Sequence, residues 1–330
     1  MRLARIVELT GEIFQVDLEE RGKPGWSAGY FIKGGTDWML IETGPASSAE
    51  RILEAARSIG LDRSQVKHVG VTHVHVDHAG GLGLIARHFA GAEIWVHPVG
   101  GRHMVNPARL IEGSMAVYGE RKMREYGEVL PVPEERLRPA IEGKIINLRG
   151  RPVEVWETPG HARHSVCFYD ARTKGLFSGD AIGVYLPQLS AALRYPVIRP
   201  ATPVPDFNGE LMMKDLYRFA HPGLQHIYFT HFGAASPAQL LIELAAGQLS
   251  FHLRIAEDCL DEEGADEENA LAKLTAALRE YSAKVLRRDM EKINVSEEMV
   301  SPEMSLLLDP LDDSAAGLLA YVQKAPVKQN

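Results

Sequence analysis

Four metal-ligand side chains occupy six consecutive positions in the short stretch VTHVHVDHAGG, Val71 to Gly81. They are His73, His75, Asp77 and His78. Neutral imidazoles and carboxylates are the ligands that zinc, iron and manganese accept in proteins. The spacing therefore indicates a transition-metal site rather than isolated surface histidines.

The segment that carries this motif is predicted to be an extended segment or the loop after a strand, and not a helix. Residues two apart in an α-helix point away from each other, so His73, His75 and Asp77 converge only at a strand end or in the loop after it. The apolar run VKHVGV before the motif predicts that strand. Gly80 and Gly81 then let the chain turn into a helix. The predicted site thus lies at the end of a strand, where functional residues are commonly placed.

Three further candidate ligands follow predicted strands and lie beside glycines. They are His161 in TPGHARHS, Asp180 in LFSGDAIG and His231 in FTHFG. Two ions roughly 3.5–4 Å apart, as in two-metal hydrolases, need about six to eight protein ligand atoms, which the combined set can supply. His164 competes with His161, and we interpret it as a supporting or structural residue.

These motifs together resemble the metallo-β-lactamase superfamily, in particular its glyoxalase II-like branch. H-x-H-x-D-H, a T-P-G-H turn, an S-G-D strand end and a late T-H occur in that order between residue 1 and about residue 240. The inserted helix and the stretch GVYLPQ are similar to a sparsely characterised prokaryotic subgroup. The fold that the resemblance implies is of the α/β class, a four-layer αββα sandwich with, here, a C-terminal helical extension.

The resemblance also implies how the ligands divide between two divalent ions. Each ion has three ligands of its own and shares a bridging carboxylate: one takes His73, His75 and His161, the other takes Asp77, His78 and His231, and Asp180 bridges them. Zinc is the first expectation, with iron or manganese as alternatives.

The reaction that the resemblance implies is hydrolysis by a metal-bridging hydroxide, which attacks a polarised carbonyl. Asp77 and Asp180 would orient the hydroxide as well as bind metal. Tyr185 would polarise the carbonyl or protonate the leaving group, as a tyrosine does in lactone hydrolases of the superfamily; packing is the alternative role. GDAIGVYLPQLS lacks the G-C-G-type segment of glyoxalase II. The expected substrate is therefore a small ester, lactone or thioester.

Two other reactions use nearly the same ligands. A mononuclear iron persulfide dioxygenase-like oxidoreductase is one alternative, because those enzymes keep this ligand set around one iron. A small-molecule phosphodiesterase is the other. Nucleases of the superfamily add basic surfaces or a large inserted domain, and neither is indicated by this sequence.

The acidic charge is concentrated near the C-terminus. Residues 240–330 contain 18 acidic and 9 basic residues, whereas residues 1–239 contain 26 acidic and 27 basic ones. A nearly neutral N-terminal part without a Lys/Arg stripe does not favour nucleic-acid binding. No apolar run reaches about 18 residues, and the first residues lack a signal-peptide core. We expect a small-molecule substrate, no nucleic-acid or membrane partner, and a cytoplasmic location.

The predicted elements divide the chain into a metal-binding domain, 1–235, and an acidic helical extension, 236–330. The domain opens with a β-meander, and its inserted helix, about 107–127, is expected to be core, a substrate lid or a homodimer contact. The segment YPVIRPATPVPDF is too rich in proline for regular structure. The first helix of the extension is predicted to bury one face, made of Leu241, Leu244, Phe251 and Ile255.

Overall fold

The computed structural model describes residues 4–220, 223–260, 267–293 and 311–324. Their contacts divide the chain into two units. The sheet unit comprises the described residues of Met1–Thr158, His164–Gly179 and Gly223–Pro237. The helical unit comprises those of Pro159–Arg163, Asp180–Pro222 and Ala238–Asn330. Of the predicted ligands, His161 and Asp180 belong to the helical unit and the others to the sheet unit. The domain boundary at residue 235 stays a prediction.

The sheet unit contains two β-sheets. The first holds, in spatial order, β1 (Ile6–Leu9), β2 (Ile13–Asp17), β3 (Ala28–Gly34), β4 (Asp37–Ile41), β5 (Val66–Gly70), β6 (Glu93–Val96) and β7 (Leu137–Pro139). The predicted meander is confirmed, because β1 to β4 pair antiparallel in sequence order. From β4 to β7 the pairing is parallel, so the carboxyl ends of β4 and β5 meet at one edge.

The second sheet lies in the order β15, β14, β11, β10, β9, β8. Its strands are β8 (Ile145–Leu148), β9 (Arg151–Glu157), β10 (Val166–Asp170), β11 (Gly175–Gly179), β14 (His226–Phe229) and β15 (Gly233–Ala235). The core lies between the two sheets, where Tyr30 and Ile32 of β3 share an apolar cluster with Phe168 of β10. Phe31, between the first two in sequence, packs instead into a second cluster with the helices. This alternation follows from the two-residue period of a strand.

Five helices of the sheet unit pack on the first sheet or continue from it. They are α1 (Ala49–Ser58), α2 (Val76–Ala79), α3 (Leu82–His88), α4 (Pro98–Val105) and α5 (Ala108–Tyr126). The inserted helix is confirmed as α5, with a break at Gly119, whose φ is +72°. Met123 and Tyr126 after the break are buried, whereas Met115 before it is 38% exposed. The second part of α5 therefore contributes fully buried core residues, whereas Leu110, Ile111 and Tyr118 of the first part pack against the core while partly exposed.

The helical unit is built from short strands and long helices. They are β12 (Val184–Tyr185), α6 (Pro187–Leu193), β13 (Ile198–Arg199), α7 (Gly209–Phe219), α8 (Ala238–Leu260), α9 (Glu267–Ile293) and a last helix, α10 (Leu311–Lys324). β12 and β13 pair antiparallel. The prediction that YPVIRPATPVPDF has no regular structure is thus wrong at two residues, because Ile198 and Arg199 lie between prolines and keep the N–H groups that proline lacks.

The predicted buried face of α8 is partly wrong. Leu241 is fully buried, but Phe251 is 52% exposed. The buried positions are Ala238, Leu241, Ile242, Ala245, Leu249, His252, Ala256 and Cys259. The helix packs against α7, α9, α10 and β13, and these several partners bury a face rotated away from Phe251.

The α/β class is confirmed, with two sheets, flanking helices and C-terminal helices. Among the helices within the described ranges, none combines the length and the apolar character needed to cross a bilayer.

Candidate metal centre

The H-x-H-x-D-H motif begins after a strand, as predicted, but its last two residues, Asp77 and His78, lie inside a short helix and not at the junction before it. β5 ends at Gly70 and α2 begins at Val76, so His73 and His75 are in the extended segment between them. The Nε2 atom of His73 lies 3.0 Å from Nδ1 of His75. Alternation in an extended backbone brings these two rings to the same side. The local geometry predicted for the pair is confirmed.

Gly80 and Gly81 are needed for close packing rather than for a special backbone angle. Both have helical φ values, −58° and −80°. A Cβ atom on Gly80 would lie 3.2 Å from Cα of Pro45, and one on Gly81 would lie 3.0 Å from the Thr43 carbonyl oxygen. The missing side chains therefore allow the loop after β4 to approach α2.

The three ligands assigned to one ion, Asp77, His78 and His231, come together in the sheet unit. One ligand atom from each lies within 4.8 Å of the other two. The Asp77 Oδ2 atom is 3.6 Å from Nε2 of His231 and 3.8 Å from Nε2 of His78. α2 supplies two of these residues, and His231 follows β14, so the sheet and the helical turn together position the group.

The donor set of this group fits a transition-metal ion. Two imidazoles and a carboxylate match the ligand types of zinc, iron and manganese. The Asp77 Oδ1 atom is buried and has no hydrogen-bond partner, and a buried charged oxygen is costly without a compensating partner. Burial opposes ionisation of Asp77, but the neighbouring His78 and His231 outweigh it and lower the pKa of the carboxyl group. The carboxylate form is the one that binds metal.

Glu42 supports this group and was not singled out from the sequence. Its side chain is fully buried, with Oε2 lying 3.2 Å from Nδ1 of His78. The Thr72 backbone N–H donates to Oε1 at 2.8 Å. A carboxylate beside the second ring nitrogen fixes the orientation of a ligating histidine. The available sequence signal was an acidic residue, in IETG, directly after a predicted strand. The φ of Glu42, +69°, marks a strained backbone.

Glu20, in the loop between β2 and β3, was also missed. It is 2% exposed, and its Oε2 atom has no hydrogen-bond partner. Burial and then the charge of Asp77 raise the pKa of Glu20, while His231 and His78 act in the opposite direction. In the same loop the Trp26 ring lies 6.2 Å from that of His231. From the sequence, the segment around Glu20 indicates only a turn. The burial of Glu20 was not predictable because it depends on residues that are distant in the chain.

Around His73 and His75 the structure adds two supporting residues. The Thr72 hydroxyl lies 3.1 Å from Nδ1 of His73. The His164 ring stacks on that of His73 at 6.2 Å and lies edge-on to that of His75 at 5.7 Å. The Val74 N–H donates to Nδ1 of His164 at 3.4 Å. This placement agrees with the interpretation of His164 as a supporting residue.

The inserted helix contributes to the sheet-unit ligands through α2. α5 packs against α2, which carries Asp77 and His78. Burial, followed by the charges of Asp77 and Glu20, raises the pKa of Tyr126 at the end of α5. The insertion therefore helps to hold the turn that presents two of the ligands.

In the helical unit, His161 and Asp180 approach each other. Nε2 of His161 lies 3.6 Å from Oδ2 of Asp180, and both side chains are buried. Nδ1 of His161 lies 3.0 Å from the Ala201 carbonyl oxygen. Since a carbonyl only accepts, this nitrogen carries the proton, and Nε2 keeps the lone pair that a metal needs.

α7 fixes the turn before His161. The Gly160 N–H donates to the Asp215 carboxylate at 3.1 Å, and the Asn208 N–H donates to the Gly160 carbonyl at 2.8 Å. Tyr185 lies in β12, paired with Ile198 of β13. Its catalytic role stays a prediction.

Comparison with known proteins decides the family. A family model described as the metallo-beta-lactamase superfamily matches residues 24–228, which is more than half of the chain. The chain belongs to the metallo-beta-lactamase superfamily. The family, together with relatives that are named as thioesterases, supports a metal-dependent hydrolase, as the motifs predicted.

Individual relatives agree with this assignment. The acyl-coenzyme A thioesterase MBLAC2 of Bos taurus is 29% identical over 238 residues, which cover 67% of this chain and 78% of that protein. A metallo-beta-lactamase family protein from Thermus thermophilus superposes with a TM-score of 0.59 at 21% identity, covering 90% of this chain and 87% of that one. A superfamily protein from Sulfolobus tokodaii gives 0.56 at 21% identity, covering 83% and 95%. The two structures show the shared fold.

Proposed function

We propose that the protein is a dinuclear metal-dependent hydrolase of acyl thioesters. The observation that carries the proposal is the group of Asp77, His78 and His231, whose ligand atoms lie within 4.8 Å of one another. The chain belongs to a superfamily of metal-dependent enzymes, which supports the proposal that this group holds a metal ion. Among esters, lactones and thioesters, the likeness to an acyl-coenzyme A thioesterase favours the thioester.

The remaining predicted ligands complete the proposed site. His73, His75 and His161 would hold a second ion, and Asp180 would bridge the two. The lone pair left on Nε2 of His161 by its contact with Ala201 and the 3.6 Å approach of Asp180 support those roles. When bound, the ions would polarise the thioester carbonyl and lower the pKa of water.

The protein's own residues would prepare this chemistry. The Glu42 carboxylate lies 3.2 Å from the second nitrogen of the His78 ring, and the Thr72 hydroxyl lies 3.1 Å from that of the His73 ring. Preorganised ligands cost no rearrangement when the reaction occurs. Zinc is the proposed metal, since its common ligands are the nitrogen and oxygen donors present here.

The experiment is metal analysis of protein purified without chelators, joined to a substrate panel. We expect two zinc ions per chain and hydrolysis of acyl thioesters, measured as release of the free thiol. A fully loaded protein with no more than one ion per chain would contradict the dinuclear site. Consumption of O₂ with a persulfide, or cleavage of a small phosphodiester in place of thioesters, would establish one of the alternative reactions.

We also propose the partners, the cellular location and the oligomeric state that the sequence predicts. They are a small-molecule substrate, no nucleic-acid or membrane partner, a cytoplasmic location and a homodimer. Size-exclusion chromatography with light scattering tests the last of these directly.

A further inference from the structure

A groove of about 1300 Å³ lies within the helical unit, between α8, α9 and the chain leading into β13. Its walls include Val197, Ile198, Leu244, Phe251 and Tyr281. The Phe251 ring is half-exposed yet stacks on that of Tyr281 at 5.3 Å. The groove is larger than the roughly 300–1,000 Å³ typical of small-ligand pockets. It therefore has room for an extended apolar chain.

The charges around the groove favour a neutral occupant. Its lining contains four basic residues, Arg279, Lys284, Arg287 and Arg288, and four acidic residues, Glu243, Glu280, Asp289 and Glu291. A site for phosphates needs an excess of positive charge. Since the two signs balance and the walls between them are apolar, a hydrocarbon chain matches the groove better than a nucleotide.

The chain segment that lines the groove continues through β13 to a residue that contacts a predicted ligand of the same unit. Ile198 lines the groove and pairs with Tyr185, five residues after Asp180. Three residues beyond Ile198, the Ala201 carbonyl contacts Nδ1 of His161 at 3.0 Å. Three residues span at most about 11 Å. Ile198 in the groove wall therefore lies within about 11 Å of Ala201, the residue that contacts His161.

We propose that this groove binds the acyl chain of the thioester substrate, an inference that rests on the proposed function. The apolar walls would remove methylene groups from water, and the wall at Ile198 would lead the chain toward His161 and Asp180. Because each buried methylene favours binding about fourfold, KM should fall as the acyl chain lengthens until the groove is full.

Gly247 offers a substitution that fills the groove without disturbing the fold. It lines the groove in α8, and a Cβ atom placed there meets nothing within 4 Å. Gly247→Leu adds a side chain to open space and also replaces a poor helix former. Gly113→Leu is the matched control, because Gly113 lies in helix α5 with equally open space and does not line the groove.

The kinetic test uses the metal-loaded full chain and acyl-coenzyme A substrates from four to sixteen carbons. We expect Gly247→Leu to raise KM for the longest chains by about tenfold or more, the equivalent of two or more methylenes, and to leave the shortest substrate unchanged. Gly113→Leu should behave as wild type at every length. Equal effects of Gly247→Leu on short and long substrates, or none on either, would overturn the proposal.

A binding test keeps the groove proposal separate from the proposed function. A fluorescent fatty acid titrated into the protein should bind saturably to wild type and Gly113→Leu and at least tenfold more weakly to Gly247→Leu. If no thioester is hydrolysed but this pattern appears, the proposed function fails and the groove assignment stands as a site for acyl chains. Absence of saturable binding to wild type, or a dimer that Gly247→Leu converts to monomer, would overturn the acyl-chain assignment.

Discussion

His252 is held as a neutral imidazole inside the helical unit, so the unfolding free energy should depend on pH through this residue. Its side chain is 1% exposed, and Nδ1 has no hydrogen-bond partner. Burial and then the Arg199 guanidinium of β13 lower the pKa of His252 from 6.5 to about 3. The Tyr281 ring of α9 lies edge-on at 6.3 Å. Neither neighbour stabilises a charged imidazole by ion pairing.

The direction and size of the effect follow from linkage. Below pH 6.5 the unfolded chain binds a proton that folded His252 does not bind until about pH 3. The stability associated with the neutral ring is therefore fully present above the unfolded pKa and is lost as the pH falls toward the folded one. One pKa unit corresponds to roughly 1.4 kcal/mol, so the unfolding free energy contributed by His252 should fall by about 2 kcal/mol between pH 7.5 and pH 5.

The assay compares wild type with His252→Leu, which has similar volume and no titrating group. Urea unfolding followed by far-ultraviolet circular dichroism gives the unfolding free energy of each at pH 7.5 and pH 5. We expect the variant to gain about 2 kcal/mol relative to wild type on acidification. Titrating groups that both proteins share cancel in this double difference.

His88→Leu is the control, since His88 is only partly buried in α3 and should give a smaller pH-dependent difference. The reasoning would be refuted if wild type and His252→Leu differed by the same amount, to within about 0.5 kcal/mol, at both pH values.

Asp170→Asn should lower the unfolding free energy by about 3–5 kcal/mol, because it leaves the buried Arg151 guanidinium, 2.6 Å away, without its carboxylate. The control, Arg149→Ala at an exposed ion pair, should lower it by less than about 1 kcal/mol. Equal losses of the two variants in urea unfolding would contradict this prediction. Glu42→Gln should weaken zinc binding about 10–100-fold in a competition titration with a chromophoric chelator; unchanged affinity would show that the contact with the ligating histidine is unimportant. Asp180→Ala should lose most hydrolytic activity when metal-replete, because repulsion between two dications is then uncompensated; wild-type turnover would exclude a bridging role.

Sequence order and spacing alone were enough to predict where the ligand turn lies, although not that its helix begins before Asp77. His73 and His75 alternate, and Asp77 and His78 follow at the start of a helix, so their placement depends on a few adjacent backbone angles. The opening meander and α5 were predictable for the same reason. Patterns of period two or about four are set by the geometry of a single strand or helix.

Features that depend on distant segments were decided by the tertiary structure. Glu42 lies beside His78 because β4 and β5 are parallel neighbours whose ends meet. The sequence of neither strand predicts that the two strands pair. Glu20 is a buried acid only because separate elements enclose it. Phe251 has the helical spacing of a core residue but is half-exposed, because the partners of α8 select which face is buried. Local periodicity shows that a helix has an apolar side, and only the packing of the other elements decides how much of that side is removed from water.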